Sequence, residues 1–136
     1  VPHRDEYSET VGYRVMGRNK SLVYIPDIDK WEKWEQNIFQ VILNNDTVLL
    51  DGTFFSQNEI PHRDMSEIPH PFIQESLVRF SSLPLTEKKK IMFIHFNHTN
   101  PLILDSPERE HVEKLGYRVA KEGDKIKLTM KLLQSF

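Results

Sequence analysis

The chain is 136 residues long, which is the length of one domain or of part of one. Its 38% apolar and 28% charged residues are ordinary for a soluble globular protein and exclude a low-complexity, disordered chain. No apolar run approaches the ~18 residues that a membrane-spanning helix needs, and a net charge of −2 gives no basic field for nucleic acid. The absence of cysteine excludes disulfides and thiolate chemistry and fits a reducing compartment, so we predict a cytoplasmic protein.

The first third of the chain is predicted to hold two strands and a helix. Residues 10–15 and 21–25 predict the strands, and the turn-forming run at 17–20 predicts that they form a hairpin. Apolar residues at three- and four-residue spacing then predict an amphipathic helix over 30–43, with Asp29 as its N-cap.

Two short apolar runs, 47–50 and 91–94, predict strands that are buried on both faces of a sheet. Between them, the polar residues 56–69 predict a loop, and the apolar side of 71–81 predicts a short helix. Such a succession of buried strands and helices is typical of a layered α/β fold.

The last third is predicted to hold a helix and a closing hairpin. Ser106 followed by Pro107 is typical of a helix start, and Gly116 is typical of a helix end. Residues 117–120 and 125–128 predict the two strands of the hairpin. The full predicted order is β-β-α-β-α-β-α-β-β, with polar residues placed just beyond the strand ends.

Histidine and aspartate residues lie next to the ends of the predicted strands. His3 precedes the first strand, Asp27 and Asp29 follow the second, and His95 and His98 follow the fourth. Strands fix distances and their loops bring side chains together, so this placement predicts a metal site. Imidazole and carboxylate ligands together suit Zn, Mn or Fe better than Ca or Mg.

Structural interpretations of the same residues stay open at this stage. A histidine near a terminus, such as His3, is most often exposed, and Asp27 or Asp29 before a helix serves most simply as an N-cap. His95 is harder to explain in this way, because a buried strand that ends in His-x-Asn-His leaves polar groups near the core that need partners.

Two segments carry a family resemblance: Leu-Leu-Asp-Gly-Thr-Phe at 49–54 and Phe-Ile-His-Phe-Asn-His-Thr-Asn-Pro-Leu at 93–102. Together with the order of His, Gly-Tyr and Asp ahead of them, they resemble the C-terminal half of the metallo-β-lactamase superfamily. The likeness is closest to the branch that holds the pyrroloquinoline quinone biosynthesis protein B and the RNase Z-type endonucleases. It implies that residues 1–136 form an α/β fold that is half of a four-layer αββα sandwich.

The resemblance also implies a set of metal ligands. His3 matches the metal-binding histidine ahead of the Gly-Tyr strand, Asp27 matches the aspartate that bridges two ions, and His95 matches the last metal-binding histidine. Asp29 is the alternative to Asp27, and His98 is an alternative ligand beside His95. The family resemblance implies two zinc ions in a full domain, with Mn or Fe as alternatives.

Three further residues receive roles from the resemblance. Asp51 matches an acidic residue that supports the site, and His70 falls where the nuclease relatives carry a histidine that assists proton transfer, so both are candidate catalytic residues. Asn97 is a candidate for orienting the imidazoles through hydrogen bonds to the ring nitrogens that do not bind the metal.

The main signature of the family, His-x-His-x-Asp-His, is absent from these residues. The chain opens at Val1 with residues that resemble the middle of a fold, so we expect the signature to lie upstream. That signature supplies most ligands of both ions. We therefore expect this segment alone to hold at most one metal and to be inactive.

Three functions follow as hypotheses. The first is a metal-dependent, phosphodiesterase-like hydrolase that uses metal-activated water on a small-molecule or phosphodiester substrate. The second is an auxiliary or oxidative enzyme like the quinone-biosynthesis protein, and the third is a non-catalytic interaction module. The open sheet face of a half-domain also predicts a homodimer, and the lack of a basic, aromatic-rich stripe argues against RNA.

Overall fold

A computed structural model describes residues 1–4 and 7–129 of the chain. Its strands form one sheet in chain order: β1 Tyr13–Met16, β2 Ser21–Ile25, β3 Thr47–Asp51, β4 Ile91–Ile94 and β5 Arg118–Val119. β1 pairs antiparallel with β2, and each later pair of neighbours is parallel. The predicted hairpin and both buried central strands are confirmed, while the first strand starts later than the predicted residue 10.

The described residues also contain α-helices and 3-10 turns. The helices are α1 Ile38–Leu43, α2 Ile73–Arg79, α3 Leu85–Lys88 and α4 Pro107–Lys114. The 3-10 turns are Trp31–Lys33, Gln57–Glu59, Met65–Glu67 and Pro101–Ile103, so the predicted loop over 56–69 contains two of them. Within residues 1–4 and 7–129, no helix has the length and apolar character that crossing a membrane requires.

The apolar core lies on one face of the sheet. Val48, Leu50 and Phe93 from the central strands are fully buried, and they join one cluster with side chains of α1, α2 and α4. Burial of each such side chain contributes about 1.5–3 kcal/mol to folding. The core is therefore what fixes the positions of the strand ends.

The other face of the sheet is open near β1. Tyr13 stands opposite Tyr24 in the register, and the two side chains are 60% and 38% exposed, with Val15 on the same face at 45%. A mixed α/β sheet with helices on one face and a second face that is open near β1 agrees with half of an αββα sandwich, as the family resemblance implied.

The predicted continuous helix over 30–43 is wrong. The chain forms a 3-10 turn at Trp31–Lys33, turns to an extended conformation at Trp34 and begins α1 only at Ile38. Trp31 is buried and its indole N–H donates to the Ser76 hydroxyl at 2.9 Å. This tertiary contact, together with the extended Trp34, interrupts the helical periodicity that the sequence showed.

Asp29 does not cap α1 as predicted. The side chain of Asn37 caps that helix by accepting from the backbone N–H of Phe39. Asp29 instead accepts from the backbone N–H of Lys30 at 2.7 Å and from Lys33 Nζ at 2.8 Å. Burial alone would raise the pKa of Asp29, but these two hydrogen bonds, together with the charges of Lys33 and His3, hold the pKa below its usual value.

The predicted closing hairpin is also wrong. Arg118–Val119 forms β5, which pairs parallel with β4, and residues 125–128 form no strand. Gly116 has a φ of +103°, a conformation that glycine adopts without strain, and it turns the chain back along the free edge of β4. Leu128 lies against Gly17 in the β1–β2 turn, so the alternating residues 125–128 leave the β5 edge.

Tyr117 provides a prediction for the stability of this fold. Its hydroxyl is buried and has no hydrogen-bond partner among the described residues, and burial raises the pKa of Tyr117 to about 12. The unfolded chain therefore loses this proton near pH 10 and the folded chain only near pH 12. The resulting stability is complete below about pH 10 and is lost as the pH rises towards about 12.

We expect Tyr117→Phe to raise the free energy of unfolding by up to about 1 kcal/mol at neutral pH, because it removes an unpaired buried hydroxyl. It should also remove this part of the alkaline loss of stability. Urea unfolding at neutral pH and near pH 11 measures both effects, with Tyr13→Phe at an exposed position as the control. Equal alkaline slopes for Tyr117→Phe and the unmodified protein would contradict the assignment.

Candidate metal centre

The candidate site lies at the carboxyl ends of three parallel strands. Asp51 is the last residue of β3, His95 follows β4 directly, and Asp27 lies two residues beyond β2. Parallel strands bring their carboxyl ends to one edge of a sheet, which is where α/β proteins place their sites. As a result, His95 Nδ1 lies 3.7 Å from Asp27 Oδ1.

Asp51 is the fully buried centre of this edge. Its Oδ1 accepts from the backbone N–H and the hydroxyl of Thr53, at 2.9 and 2.7 Å. Its Oδ2 accepts from the backbone N–H of Ile28 at 3.1 Å and lies 2.7 Å from His70 Nδ1. Both carboxylate oxygens are engaged, so Asp51 holds other residues in place and does not face the centre of the site.

His70 enters the site from the loop that precedes α2. Its Nδ1 lies 2.7 Å from Asp51 Oδ2 and 3.9 Å from Asp27 Oδ1. Its ring packs edge-on against Phe54, with 5.9 Å between the centroids. A carboxylate is an acceptor only, so the ring donates its Nδ1 proton to Asp51 and keeps Nε2 for a metal ion or a proton.

His3 reaches the same place from the N-terminal segment. The carbonyl of Pro2 accepts from the backbone N–H of Asp29 at 2.7 Å, which fastens this segment beside the end of β2. The ring of His3 lies 5.1 Å from the ring of His70. His3 Nδ1 is buried and has no hydrogen-bond partner among the described residues, and such an atom calls for a partner.

His3, Asp27 and His70 form a cluster of metal-ligand type. One ligand atom from each lies within 4.8 Å of the others. Neighbouring ligand atoms on a tetrahedral zinc ion are about 3.4 Å apart, so small side-chain rotations would close the cluster onto an ion. The unpaired His3 Nδ1 and the mixed imidazole and carboxylate donors therefore fit zinc.

His95 borders this cluster and has an unusual backbone. Its φ is +64°, and within the described residues it is the one non-glycine position with a positive φ. Its side chain is half-exposed and its Nδ1 lies 3.1 Å from the Thr53 hydroxyl oxygen. A backbone of this kind stores strain, and such strain is found at functional sites more often than elsewhere.

The structure places the other predicted site residues outside this cluster. Asp29 is engaged by Lys30 and Lys33, as described above, and is not part of the cluster. The side-chain amide of Asn97 donates to the Thr99 hydroxyl at 2.8 Å, and His98 is exposed to solvent. Among the predicted residues, the structure thus brings together His3, Asp27, Asp51, His70 and His95.

Asn100 braces the site and was not predicted. Its Nδ2 donates to the carbonyls of Gly52 and Thr53 at 2.7 and 3.2 Å, and its Oδ1 accepts from the backbone N–H of Leu102 at 3.0 Å. One buried amide thereby joins the loop after β3 to the loop after β4. The signal was an asparagine before Pro101, which is typical of a capped helical turn.

The space between these loops admits no larger residue at position 52. A Cβ atom on Gly52 would lie 2.9 Å from the Ile94 carbonyl oxygen and from the Phe96 ring. The backbone N–H of Gly52 donates to that same carbonyl at 2.8 Å. The close approach that carries Asp51 towards His95 therefore depends on glycine.

A half-sandwich sheet with a His/Asp cluster at its strand ends defines a metallo-β-lactamase-type fold with a candidate metal centre. Comparison with solved structures agrees with this class. Zinc-bound PqqB from Methylobacterium extorquens superposes with a TM-score of 0.64 and 26% identity, over 86% of this chain and 43% of that one. No family model matches the chain.

The chain is similar in sequence to coenzyme PQQ synthesis protein B of several bacteria. It is 32% identical to that protein of Nitrosococcus oceani over 133 residues, which is 90% of this chain and 42% of the relative. It is 27% identical to the Gluconobacter oxydans protein over 121 residues, which is 85% of this chain and 39% of the relative. The chain therefore spans about two-fifths of these relatives, in their C-terminal portion.

Proposed function

We propose that this chain is the zinc-binding C-terminal half of a metallo-β-lactamase-type enzyme related to coenzyme PQQ synthesis protein B. His3, Asp27 and His95 act as ligands in this proposal, and His70 joins them or handles a proton beside them. The remaining ligands of a two-ion centre come from a segment outside these 136 residues. The relatives, which are more than twice as long as the matched part, support that division.

One observation carries the proposal. His3, Asp27 and His70 cluster at one strand edge, His95 lies beside Asp27, and His3 has a buried nitrogen without a partner among the described residues. Core packing alone does not explain why the imidazoles of His3, His70 and His95, which come from different parts of the chain, lie around the carboxylate of Asp27. A divalent cation supplies the missing partner and balances the charges of Asp27 and Asp51.

The chemistry proposed for this site is hydrolytic. Bound zinc supplies Lewis acidity, which metallohydrolases use to activate water and to polarise the bond that breaks. Asp51 holds the Nδ1 proton of His70, so that His70 presents Nε2 either to the metal or to a proton of the substrate. Asp27 offers its carboxylate to the ion while the backbone bonds of Asp51 keep the edge rigid.

The homology bears on which reaction the whole protein performs. Similarity to coenzyme PQQ synthesis protein B favours a role in quinone-cofactor synthesis over a general phosphodiesterase activity. We propose a small-molecule substrate on this ground. The test is genetic complementation of a bacterial strain that lacks its PQQ synthesis protein B, and hydrolysis of a phosphodiester probe without complementation would favour the other activity.

The open face near β1 favours a second role for the segment itself. Tyr13, Val15 and Tyr24 form an exposed apolar surface on the side of the sheet away from the helices. In an αββα sandwich that face covers a second sheet, and we propose the other half of the same domain as the partner. A homodimer through this face is the alternative, which the molecular mass in solution distinguishes.

Zinc binding tests the metal centre directly. We expect equilibrium dialysis followed by elemental analysis to find zinc in the unmodified protein, and Asp27→Ala to weaken its affinity at least ~10–100-fold, the loss typical of perturbed zinc sites. His95→Ala should have a similar effect. His70→Ala separates the two roles of that residue, because a ligand variant loses zinc whereas a proton-handling variant keeps it.

His111→Ala is the matched control, since His111 is an exposed histidine on α4. It should bind zinc as the unmodified protein does. Zinc affinity that is the same in Asp27→Ala, His95→Ala and His111→Ala would overturn the proposed centre.

A further inference from the structure

We infer that Thr53 is a positioning residue that fixes the tautomer of His95, so that one buried carboxylate controls two imidazoles. Asp51 holds His70 directly and holds His95 through the Thr53 hydroxyl. The inference rests on the proposed metal centre for its purpose, but it concerns hydrogen bonds that exist without metal.

The argument begins with the single proton of the Thr53 hydroxyl. Its oxygen lies 2.7 Å from Asp51 Oδ1, 3.1 Å from His95 Nδ1 and 3.3 Å from His70 Nδ1. A carboxylate accepts and never donates, so the shortest of these bonds takes the hydroxyl proton. The hydroxyl oxygen can then only accept from the imidazoles.

The two imidazoles do not compete equally for that oxygen. His70 Nδ1 has a shorter bond to Asp51 Oδ2, at 2.7 Å, which takes its proton. His95 Nδ1 has Asp27 Oδ1 at 3.7 Å, which is beyond hydrogen-bond distance, so the Thr53 oxygen is its nearest acceptor. His95 therefore carries its proton on Nδ1 and leaves Nε2 unprotonated.

This assignment selects the metal-binding atom of His95. An unprotonated Nδ1 would face the lone pairs of the Thr53 oxygen, whose proton is already committed. Metal-bound histidines commonly donate their other ring N–H to an oxygen that fixes the ring. In His95 that oxygen belongs to Thr53, and Nε2 is the atom left for zinc.

Several hydrogen bonds hold Thr53 in place. Thr53 is buried, its backbone N–H also binds Asp51 Oδ1, and its carbonyl accepts from both Asn97 N–H and the Asn100 amide. The hydroxyl therefore has little freedom to turn away from either partner. A side chain without the hydroxyl would leave Asp51 and His95 each short of one hydrogen bond.

The tautomer is read by NMR on metal-free protein labelled with ¹⁵N in histidine, at a pH of about 8, where imidazoles are largely neutral. The His95 signals are assigned by their loss in His95→Gln. We expect Nδ1 to be the protonated nitrogen in the unmodified protein. Finding Nδ1 unprotonated there would overturn the inference by itself, without any variant.

Two substitutions separate the hydroxyl from the shape of the side chain. Thr53→Val keeps the shape and should shift His95 away from the Nδ1–H tautomer, whereas Thr53→Ser keeps the hydroxyl and should preserve it. A role in packing alone predicts the opposite pattern, with Val neutral and Ser disruptive. Thr86→Val, at an exposed position on α3, is the control for the substitution.

Zinc affinity, measured by competition with a chromophoric chelator, gives the second readout. We expect Thr53→Val to weaken it ~10–100-fold and Thr53→Ser to leave it within about threefold of the unmodified protein. If no variant binds zinc, the proposed metal centre fails while the tautomer result stands. If zinc binds but Thr53→Val changes neither the tautomer nor the affinity, the inference about Thr53 fails alone.

Discussion

Replacement of Asp51 by asparagine is expected to lower the free energy of unfolding by about 3 kcal/mol. All four donors that reach this buried carboxylate point at an oxygen, two at Oδ1 and two at Oδ2. In asparagine an NH₂ group replaces one of these oxygens. Either the two donors of Thr53 or the donors of Ile28 and His70 then face another donor and lose their acceptor. Urea unfolding at neutral pH measures the change, with an unaltered m-value as the sign of a pure stability effect.

Asp46→Asn is the matched control for this substitution. Asp46 is exposed, and its Oδ2 accepts the backbone N–H of Ser21 at 2.8 Å. An asparagine can turn its own oxygen to that N–H, so the expected loss is under about 1 kcal/mol. Equal losses for the two variants would show that Asp51 is not the hydrogen-bonding centre described above.

Replacement of Asn100 by alanine should lower the free energy of unfolding by about 2–3 kcal/mol and weaken zinc binding with it. Asn100 is 2% exposed, and its side chain makes three hydrogen bonds to backbone groups of the two loops. Without it, the Gly52 carbonyl and the Leu102 N–H lose their partners. The loops that carry Asp51 and His95 are then no longer held together.

Thermal or urea unfolding measures the stability, and chelator competition measures the zinc affinity. Asn97→Ala is the control, because within the described residues its side-chain amide bonds to an exposed threonine alone, and its loss should cost a few tenths of a kcal/mol. Asn100→Asp keeps the acceptor for Leu102 but sets a buried carboxylate oxygen against the Gly52 and Thr53 carbonyls, so it should lose at least as much stability as Asn100→Ala. A larger loss of unfolding free energy in Asn97→Ala than in Asn100→Ala would contradict the role of Asn100 in joining the two loops.

The sequence predicted the parts of the site that depend on strand ends. Short apolar runs between polar flanks predicted both buried central strands, and the residues that follow such strands in a parallel sheet meet at one edge. Asp27, Asp51 and His95 are brought together for this reason, which needs no knowledge of loops. The layered α/β pattern follows from the same runs, whereas the half-sandwich was implied by the family resemblance.

The rest depended on tertiary contacts that leave no local signal. The helix over 30–43 has the correct periodicity, but the buried indole of Trp31 and the extended Trp34 divide it. His70 comes from a loop, and no pattern around it shows that Asp51 lies within 2.7 Å. The alternation at 125–128 predicted a strand, although the parallel edge of β4 was already taken by Arg118–Val119.

The left-handed backbone of His95 has a consequence for the evolution and engineering of this protein. A non-glycine residue in this conformation costs about 1–2 kcal/mol, which glycine would not incur. Selection for thermostability alone would therefore favour glycine at position 95 and discard the imidazole. A library screened only for heat resistance should be expected to lose the proposed metal ligand at this position, so residue 95 has to be kept as histidine in any stabilised version.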